Sequence, residues 1–245
     1  MRKFGLIGYP LGHSFSAKYF AEKFLAENIS DCLYSNYEIA SVGDLPGVLT
    51  DPDLAGLNVT IPYKQTVLRF LDEKDVVVEE TGACNCIRIC KGSLKGFNTD
   101  VIGFEKSLTE KLTVTDNRAL ILGTGGSSKA VAWVLRKKNI PYLFVSRTAS
   151  AEASHITYEQ LTRDLLREYP LIINTTPLGT FPAIQESAPL PYQWIGEGHY
   201  FFDLVYNPAK TLFLQKAEIA GARIKNGADM LAVQAEASWE IWNKD

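Results

Sequence analysis

The sequence predicts an α/β fold, because patterns typical of strands and helices alternate from one end of the chain to the other. Residues 119–123 form an almost continuous apolar run, as expected for a buried parallel strand, and a glycine-rich turn and a helical pattern follow it. The 245 residues are 46% hydrophobic and 22% charged, which suits one large domain or two of ordinary size. We therefore predict a globular α/β protein with parallel sheets.

In the first hundred residues, alternating apolar positions predict strands, and apolar positions at helical spacing predict helices. A helix after residue 16 carries Phe20, Ala21, Phe24 and Leu25 on its apolar face. The predicted strands are 4–8, 33–39, 56–61 and the hairpin 83–90 with 94–97, and a short helix is predicted at 44–49.

A further helix opens at Asp100, with Phe104, Leu108 and Leu112 on one stripe. The polar residues 113–117 then lead into a new unit that begins with the apolar strand. The pattern continues with strands at 142–146, 171–174, 200–205 and 222–224, and with helices from the glycine turn to about 138 and at 158–168, 212–220 and 228–242.

Composition excludes several classes of protein. The formal net charge is −3, so no basic surface for nucleic acid or an anionic membrane is indicated. The first apolar residues are too few for a signal peptide, and no apolar run approaches the roughly 20 residues of a membrane span. We expect a cytoplasmic protein.

The cysteines favour structural thiols over a metal site. Cys84, Cys86 and Cys90 are evenly spaced, so on a strand they would share one face as small buried residues. A zinc site needs a fourth ligand, and none of the three histidines is near them in sequence. We expect reduced cysteines and no metal.

Lys64 lies just beyond the predicted strand 56–61. Pro62 ends that strand, and apolar residues at helical spacing over 63–71 predict a helix with Lys64 in its first turn. The positive end of a helix dipole disfavours a charged lysine, so Lys64 could give or take a proton near neutral pH. The alternative is an ordinary surface lysine at a helix start.

Gly123, Gly125 and Gly126 form a glycine-rich turn between the apolar strand and the next helix. In dinucleotide sites, the backbone N–H groups of such a turn and the helix N-terminus bind a pyrophosphate. Ser127 and Ser128 continue the motif, and Ser128 stands where the usual fingerprint has glycine or alanine. The alternative is a tight strand–helix turn without a ligand.

The next strand ends in Ser146, Arg147 and Thr148, and the first carboxylate after it is Glu152. An NAD site needs an acidic residue there to hold the ribose 2′-hydroxyl. An arginine flanked by hydroxyls suits the 2′-phosphate of NADP instead. The sequence therefore predicts NADP, with a solvent-facing arginine as the alternative.

Small polar residues cluster at the predicted strand ends, where open α/β sheets bind their ligands. Each has an ordinary explanation as a helix cap or turn residue. Together with Lys64 they suit a polyhydroxylated substrate. These residues are Ser14, Ser16, Asn58, Thr60, Asn85, Asn98, Thr99 and Asp100.

Short blocks connect this chain with a known family. They are HSFS at 13–16, NVTIPYK at 58–64, GACN at 82–85, GFNTD at 96–100, GTGG at 123–126, NTT at 174–176, DLVYNP at 203–208 and GADMLAVQ at 227–234. In these blocks the chain resembles the shikimate dehydrogenase family over essentially its whole length. The resemblance implies a substrate domain of residues 1–100, completed by 228–245, and a Rossmann-type NADP-binding domain of 101–227.

The resemblance also implies reversible, NADP-dependent reduction of 3-dehydroshikimate to shikimate in aromatic amino-acid biosynthesis. Lys64 would be the catalytic acid/base and Asp100 its partner. The substrate would be held by Ser14, Ser16, Thr60, Asn85, Tyr206 and Gln234. The cofactor would be held by Gly123, Gly125, Gly126, Ser127, Ser128, Ser146, Arg147, Thr148, Thr176, Leu204 and Gly227, with the last two lining the nicotinamide pocket.

Two departures from the family pattern concern site positions. Cys86 replaces a usual threonine, and Ala151 replaces a second basic residue expected after Thr148, which weakens the 2′-phosphate clamp. A relative that prefers quinate or NAD, and a sensor that binds shikimate without turnover, are therefore the alternatives. The family includes monomers and dimers, and we expect one of these states.

Overall fold

The computed structural model describes residues 1–12, 15–148, 150 and 154–244. The chain divides into two compact units, Met1–Asp100 with Gln234–Asp245, and Val101–Val233. Each unit is built on a six-stranded sheet. The α/β class predicted from the sequence is therefore confirmed.

Strands and helices alternate along most of the described chain. The strands are β1 Arg2–Gly8, β2 Cys32–Glu38, β3 Leu54–Val59, β4 Glu73–Lys74, β5 Cys86–Cys90, β6 Ser93–Phe97, β7 Ala119–Leu122, β8 Tyr142–Ser146, β9 His155–Thr157, β10 Leu171–Asn174, β11 Tyr200–Asp203 and β12 Arg223–Lys225. The α-helices are α1 Phe15–Ala26, α2 Leu45–Val48, α3 Val76–Thr81, α4 Asp100–Thr109, α5 Gly126–Lys137, α6 Arg163–Glu168, α7 Leu212–Ile219 and α8 Ala228–Trp242. Short 3₁₀ helices lie at Val42–Asp44, Thr66–Phe70, Tyr158–Gln160 and Tyr192–Trp194.

The sheet of the first unit has the strand order β2-β1-β3-β5-β6-β4. β1 is parallel to β2 and β3, whereas β5 is antiparallel to β3 and β6. β5 and β6 form the predicted hairpin, whose turn residues Lys91 and Gly92 have φ values of 50° and 82°. Because such a short turn joins neighbouring antiparallel strands, the predicted hairpin makes this sheet mixed, and the expectation of parallel sheets holds only for part of this unit.

The C-terminal helix α8 packs against the first sheet through Trp242. Its indole ring stacks on Phe4, with ring centroids 4.8 Å apart, and its Nε1 donates to the Ile87 carbonyl oxygen at 2.9 Å. Glycine is required at Gly56 of β3, because a Cβ atom there would collide with the indole. Phe20 of α1 contacts the same ring, so α1 and α8 share one aromatic core.

The buried face of α1 is narrower than its sequence pattern indicates. Phe20 and Phe24 are buried, but Ala21 is exposed and Leu25 is 83% exposed. Residues four apart lie one above the other on a helix, while the next residue is rotated by about 100°. The assignment of Ala21 and Leu25 to the core face is therefore wrong.

The sheet of the second unit has the order β12-β11-β10-β7-β8-β9 and is parallel throughout. Counted from the first strand of this unit, the order is 3-2-1-4-5-6, which is that of the Rossmann fold. The strand order reverses between β7 and β10, and ligands of such sheets bind at this point. Core residues from β7, β10, β11, α6 and α7 pack together on one face, among them Leu122, Ile172, Phe201, Leu166 and Phe213.

Capping side chains set two helix boundaries that the apolar pattern does not show. The sequence pattern does not predict α3, because the β-branched valines at 76–78 disfavour a helix. Asp75 is the N-cap of this helix, and its carboxylate accepts the Val78 N–H at 2.8 Å. The predicted helix 158–168 is divided, because the Thr162 hydroxyl accepts the Leu165 N–H at 3.2 Å and starts a new helix.

All four cysteines are free. Cys84 and Cys86 are buried, and burial raises the pKa of both thiols. Cys90, which the spacing places on the same face, is exposed at the hairpin end. Among the described residues, no cluster of His, Cys, Asp and Glu is arranged to hold a metal ion, and no helix is long and apolar enough to cross a membrane.

Replacing Trp242 by alanine should destabilise the protein by about 3–5 kcal/mol, because the change removes a buried ring and leaves a cavity against Phe4. Trp194, which is 38% exposed, provides the matched control, and Trp194→Ala should cost about 1 kcal/mol or less. Denaturant unfolding of the full chain measures both changes. Equal losses for the two variants would contradict the packing described for α8.

Candidate active site

Lys64 lies in the turn between β3 and the 3₁₀ helix Thr66–Phe70, so the predicted α-helix start is wrong. Its carbonyl oxygen accepts the Cys84 N–H at 2.8 Å, and the Leu68 N–H bonds to the Gln65 carbonyl oxygen at 3.3 Å. An α-helix would instead need a bond from Leu68 to the Lys64 carbonyl. Lys64 is therefore not at the N-terminus of an α-helix, and its amine interacts with a side chain instead of with a helix dipole.

That partner is Asp100, the first residue of α4. The Lys64 Nζ atom lies 2.6 Å from Asp100 Oδ2, and the two side chains are 15% and 7% exposed. Removing either group would leave its partner buried and without an ion pair, which is costly. The geometry places an amine beside a carboxylate whose position is fixed, with 15% of the lysine side chain exposed.

Asn85 holds the second oxygen of Asp100. Its Nδ2 atom donates to Asp100 Oδ1 at 2.9 Å, and its Oδ1 atom accepts the backbone N–H of Thr99 at 2.6 Å. A backbone N–H is always a donor, so the Thr99 bond fixes which end of the amide is the oxygen. The amide nitrogen must then face the carboxylate, and Asp100 is held at both oxygens.

The remaining predicted substrate residues of the first unit lie near these groups or at neighbouring strand ends. Gln234 Oε1 accepts from Asn85 Nδ2 at 3.4 Å. Ser16, in the first turn of α1, and Thr60, directly after β3, follow the carboxyl ends of the adjacent strands β1 and β3. Ser14 lies outside the described residues.

Asn58 is a buried residue whose side-chain hydrogen bonds go to protein groups. Its Oδ1 accepts the Tyr34 hydroxyl at 2.9 Å, and its Nδ2 donates to Ser238 Oγ at 2.9 Å and to the Asn85 carbonyl oxygen at 3.3 Å. The sequence prediction does not include Ser238. The available signal is a serine four residues after Gln234, on the same face of α8.

In the second unit, the glycine turn follows β7 at the point where the strand order reverses. Gly123 has φ +103°, and a Cβ atom there would lie 3.0 Å from the Thr175 and Thr176 side chains. Gly125 is the N-cap of α5, and nothing lies within 4 Å of where its Cβ would be. Open space above the first N–H groups of a helix fits the pyrophosphate of a dinucleotide.

The rest of the glycine motif begins α5. Gly126 is its first residue, and Ser127 follows in the first turn. Ser128 is buried, and its hydroxyl donates to the Gly125 carbonyl oxygen at 2.6 Å. Ser128 thus stabilises the turn, which accounts for a serine where the fingerprint has a smaller residue.

Ser146, Arg147 and Thr148 lie at the carboxyl end of β8, the strand next to β7. The Ser146 hydroxyl donates to the Thr148 carbonyl oxygen at 2.6 Å and closes this turn. Arg147 and Thr148 are exposed. In a Rossmann sheet this position faces the ribose nearest the adenine, so an exposed guanidinium here fits a 2′-phosphate. Ala151 lies outside the described residues.

Asp203, at the end of β11, is a fully buried carboxylate held by neutral donors. It accepts from Asn174 Nδ2 at 2.9 Å, the Val205 N–H at 3.0 Å and the Thr211 hydroxyl at 2.5 Å. Asn174 in turn accepts the Thr176 hydroxyl at 2.6 Å. Burial raises the pKa of Asp203 to about 6, against the opposing effect of these hydrogen bonds.

The loop after β11 carries Leu204 and Tyr206, and it lies against Gly227 just before α8. A Cβ atom on Gly227 would overlap the Leu204 carbonyl group, and the Gly227 N–H bonds to the Val205 carbonyl oxygen at 3.4 Å. These predicted cofactor residues therefore form one cluster in the second unit. Tyr206, predicted to bind the substrate, belongs to this unit, whereas Lys64 belongs to the first.

Comparison with known proteins gives a consistent result. Residues 6–87 match the family model of the shikimate dehydrogenase substrate binding domain. A shikimate dehydrogenase (NADP(+)) of Caldicellulosiruptor bescii is 36% identical over 261 residues, covering 99% of this chain and 89% of the relative.

Solved structures agree with this match. A shikimate dehydrogenase crystallised with NADP+ is 30% identical and has a TM-score of 0.88, with 99% of this chain and 90% of that chain covered. The shikimate 5-dehydrogenase of Thermus thermophilus, solved with NADP(H) and shikimate, is 30% identical, with a TM-score of 0.87 and coverage of 99% and 94%.

The fold and the two groups of polar residues define a two-domain α/β protein. Its N-terminal domain is completed by the C-terminal helix, and its second domain is of the Rossmann type. Within that class, the sequence similarity is decisive. The chain belongs to the shikimate dehydrogenase family.

The unfolding free energy should carry a pH dependence from Asp203. Its carboxyl ordinarily titrates near 3.8, and its pKa is raised to about 6 in the folded protein. Between pH 4 and 6 the folded state keeps a proton that the unfolded chain has lost, so stability falls as the pH rises. The loss should approach about 3 kcal/mol above pH 6.

Asp203→Asn removes this titration, so the difference in unfolding free energy between wild type and variant should change across pH 4–6 and be constant above it. The control is Asp164→Asn, because the Asp164 side chain is 89% exposed. Denaturant unfolding at pH steps from 3.5 to 7.5 measures the difference. A difference independent of pH would contradict the raised pKa.

Proposed function

We propose that this protein is a shikimate dehydrogenase, which reversibly reduces 3-dehydroshikimate to shikimate with NADP as its cofactor, in aromatic amino-acid biosynthesis. The observation that carries the proposal is the largely buried Lys64–Asp100 pair, whose Nζ and Oδ2 atoms lie 2.6 Å apart. A protein that only binds the substrate has little use for a buried amine–carboxylate pair. Membership of the family supports the same reaction.

In this proposal Lys64 is the acid/base. During reduction, the ketone oxygen of the substrate gains negative charge, and the Lys64 ammonium donates a proton to it. The positive charge also stabilises the oxygen as its charge develops. During oxidation, the neutral amine takes the hydroxyl proton back. Asp100, fixed at both oxygens by Lys64 and Asn85, orients the amine and keeps it directed at the reacting oxygen.

The hydroxyl and carboxylate groups of the substrate are assigned to neutral polar side chains, which bind by hydrogen bonds without competing with the charge of Lys64. Gln234 Oε1 lies 3.4 Å from Asn85 Nδ2, and both side chains are assigned to the polar groups of the substrate. The full set is Ser14, Ser16, Thr60, Asn85, Tyr206 and Gln234.

We assign NADP to the second unit. The cofactor supplies the hydride when it is bound. The N-terminus of α5 and the glycine turn hold the pyrophosphate, and Arg147 with its hydroxyl neighbours holds the 2′-phosphate. The complete set is Gly123, Gly125, Gly126, Ser127, Ser128, Ser146, Arg147, Thr148, Thr176, Leu204 and Gly227.

We also propose that the enzyme acts in the cytoplasm, as a monomer or a homodimer. Free cysteines suit a reducing compartment.

Purified protein with 3-dehydroshikimate should consume NADPH rapidly and NADH slowly, because Arg147 favours the cofactor with a 2′-phosphate. Absorbance at the nicotinamide band measures both rates, and shikimate and quinate are compared in the oxidative direction. Equal rates with the two cofactors would contradict the role of Arg147. Normal shikimate binding without any cofactor turnover would show that the protein is a sensor and not an enzyme.

Lys64→Ala should lower kcat by far more than tenfold while raising KM less, since the amine acts in the transition state. Lys95 is the matched control: it is also ion-paired in the first unit, with Glu73 at 2.7 Å, and Lys95→Ala should keep kcat within about twofold. Steady-state kinetics at saturating NADPH measure both variants. Turnover of Lys64→Ala within about tenfold of wild type would show that the assignment of Lys64 is wrong.

A further inference from the structure

Ser238 is a fully buried serine on α8 with hydrogen bonds in three directions. Its Oγ lies 2.9 Å from Asn58 Nδ2, 3.2 Å from Thr99 Oγ1 and 2.9 Å from the Gln234 carbonyl oxygen. These groups come from β3, from the segment before α4 and from α8 itself. A single hydroxyl therefore joins three parts of the first unit.

The donors in this network can be assigned. Asn58 Nδ2 donates to Ser238, because the Asn58 Oδ1 atom accepts the Tyr34 hydroxyl. Ser238 donates its only proton to the Gln234 carbonyl oxygen, which cannot donate. With the Ser238 proton on that carbonyl oxygen, Thr99 is the donor in its 3.2 Å contact with Ser238. The other acceptors near Thr99 Oγ1 are Asn85 Oδ1 at 3.2 Å, which already accepts the Thr99 backbone N–H, and Gln234 Oε1 at 3.5 Å. In this arrangement Ser238 accepts from Asn58 and Thr99 and donates to the Gln234 carbonyl oxygen, and its hydroxyl also interacts with the buried Cys86 side chain.

Thr99 connects this hydroxyl to the catalytic pair. Its Oγ1 accepts from Asn85 Nδ2 at 2.9 Å, and the same nitrogen donates to Asp100 Oδ1 at 2.9 Å. With its proton directed at Ser238, the Thr99 oxygen presents a lone pair to Asn85. Without Ser238, the Thr99 proton would turn to other acceptors, the nearest being Asn85 Oδ1 at 3.2 Å. The hydrogen bonds that orient the Asn85 amide would then change.

We propose that Ser238 is a positioning residue for the reaction: through Thr99 it fixes the Asn85 amide, and through Asn85 the Asp100 carboxylate that orients Lys64. This inference rests on the proposed function. Ser238 itself is fully buried and acts only through its protein neighbours. Its hydroxyl thereby sets the direction in which Thr99 donates, and so leaves the Thr99 oxygen to accept from Asn85.

Ser238→Ala should lower kcat about tenfold, the rate equivalent of one lost hydrogen bond. The control is Ser107→Ala, since Ser107 is a buried helical serine whose hydroxyl has no hydrogen-bond partner among the described residues. Ser107→Ala should keep kcat within about twofold. Wild-type turnover is measured first, because its absence would contradict the proposed function, whereas normal turnover with an unchanged Ser238→Ala would contradict this inference alone.

A double-mutant cycle with Thr99→Val separates positioning from simple packing. Valine keeps the shape of threonine but breaks the link to Asn85, while the bond between Ser238 and Asn58 is unaffected. Ser238→Ala should therefore change kcat less than twofold when Thr99 is already valine. If the two effects on kcat multiply, Ser238 stabilises the fold independently of Asn85, and the proposal is overturned.

A variant with a thiol covers the case in which the alanine variant does not fold. Ser238→Cys has nearly the same shape and hydrogen-bonds more weakly. It should lower kcat less than alanine does, with a melting temperature close to that of wild type, and it should show the same dependence on Thr99. Full activity of the cysteine variant in both backgrounds would count against the role of the hydroxyl.

Discussion

The ion pair between Lys64 and Asp100 is the interaction on which the arrangement of the first unit depends. Two largely buried charges are tolerated only when each has the other within contact distance and its remaining hydrogen-bonding sites are filled. Lys64 must therefore leave β3 in a turn, and Asp100 must begin α4 beside Asn85. The C-terminal helix then supplies Gln234 and Ser238, so the last residues of the chain complete a site whose charged groups come from the first hundred.

Close backbone approaches hold the elements that carry these groups. Gly56 has no side chain because the Trp242 indole fills that space, and this contact fixes α8 on the sheet. Gly227 approaches the Leu204 carbonyl in the second unit and fixes the start of the same helix against the loop after β11. Each of these glycine contacts is made within its own unit.

Elements with one dominant signal could be predicted from the sequence. The apolar strand before the glycine turn and the 15-residue helix α8 lie where the pattern places them. The turn at Lys64 could not be predicted, because the spacing of the apolar residues after it suits a helix. In the structure the Lys64 carbonyl oxygen accepts the N–H of Cys84, which comes from another segment. The hydrogen bonds of Ser238 could not be predicted either, because its partners Asn58 and Thr99 lie in segments far from it in sequence. Local periodicity predicts where strands and helices lie, but contacts between segments distant in sequence determine the turns and the side-chain hydrogen bonds.

Two of the buried carboxylates, Asp203 in the second unit and Asp100 in the first, have different surroundings. Asp203 is held by an amide, a backbone N–H and a hydroxyl, so burial dominates and raises its pKa to about 6. Its hydrogen bonds tie together the loops that follow β10 and β11. Asp100 has an amide on one oxygen and an ammonium on the other. An amine within contact distance offsets part of the cost of burying the Asp100 carboxylate. The same residue type thus ties loops together in one unit, and in the other it forms an ion pair with a lysine.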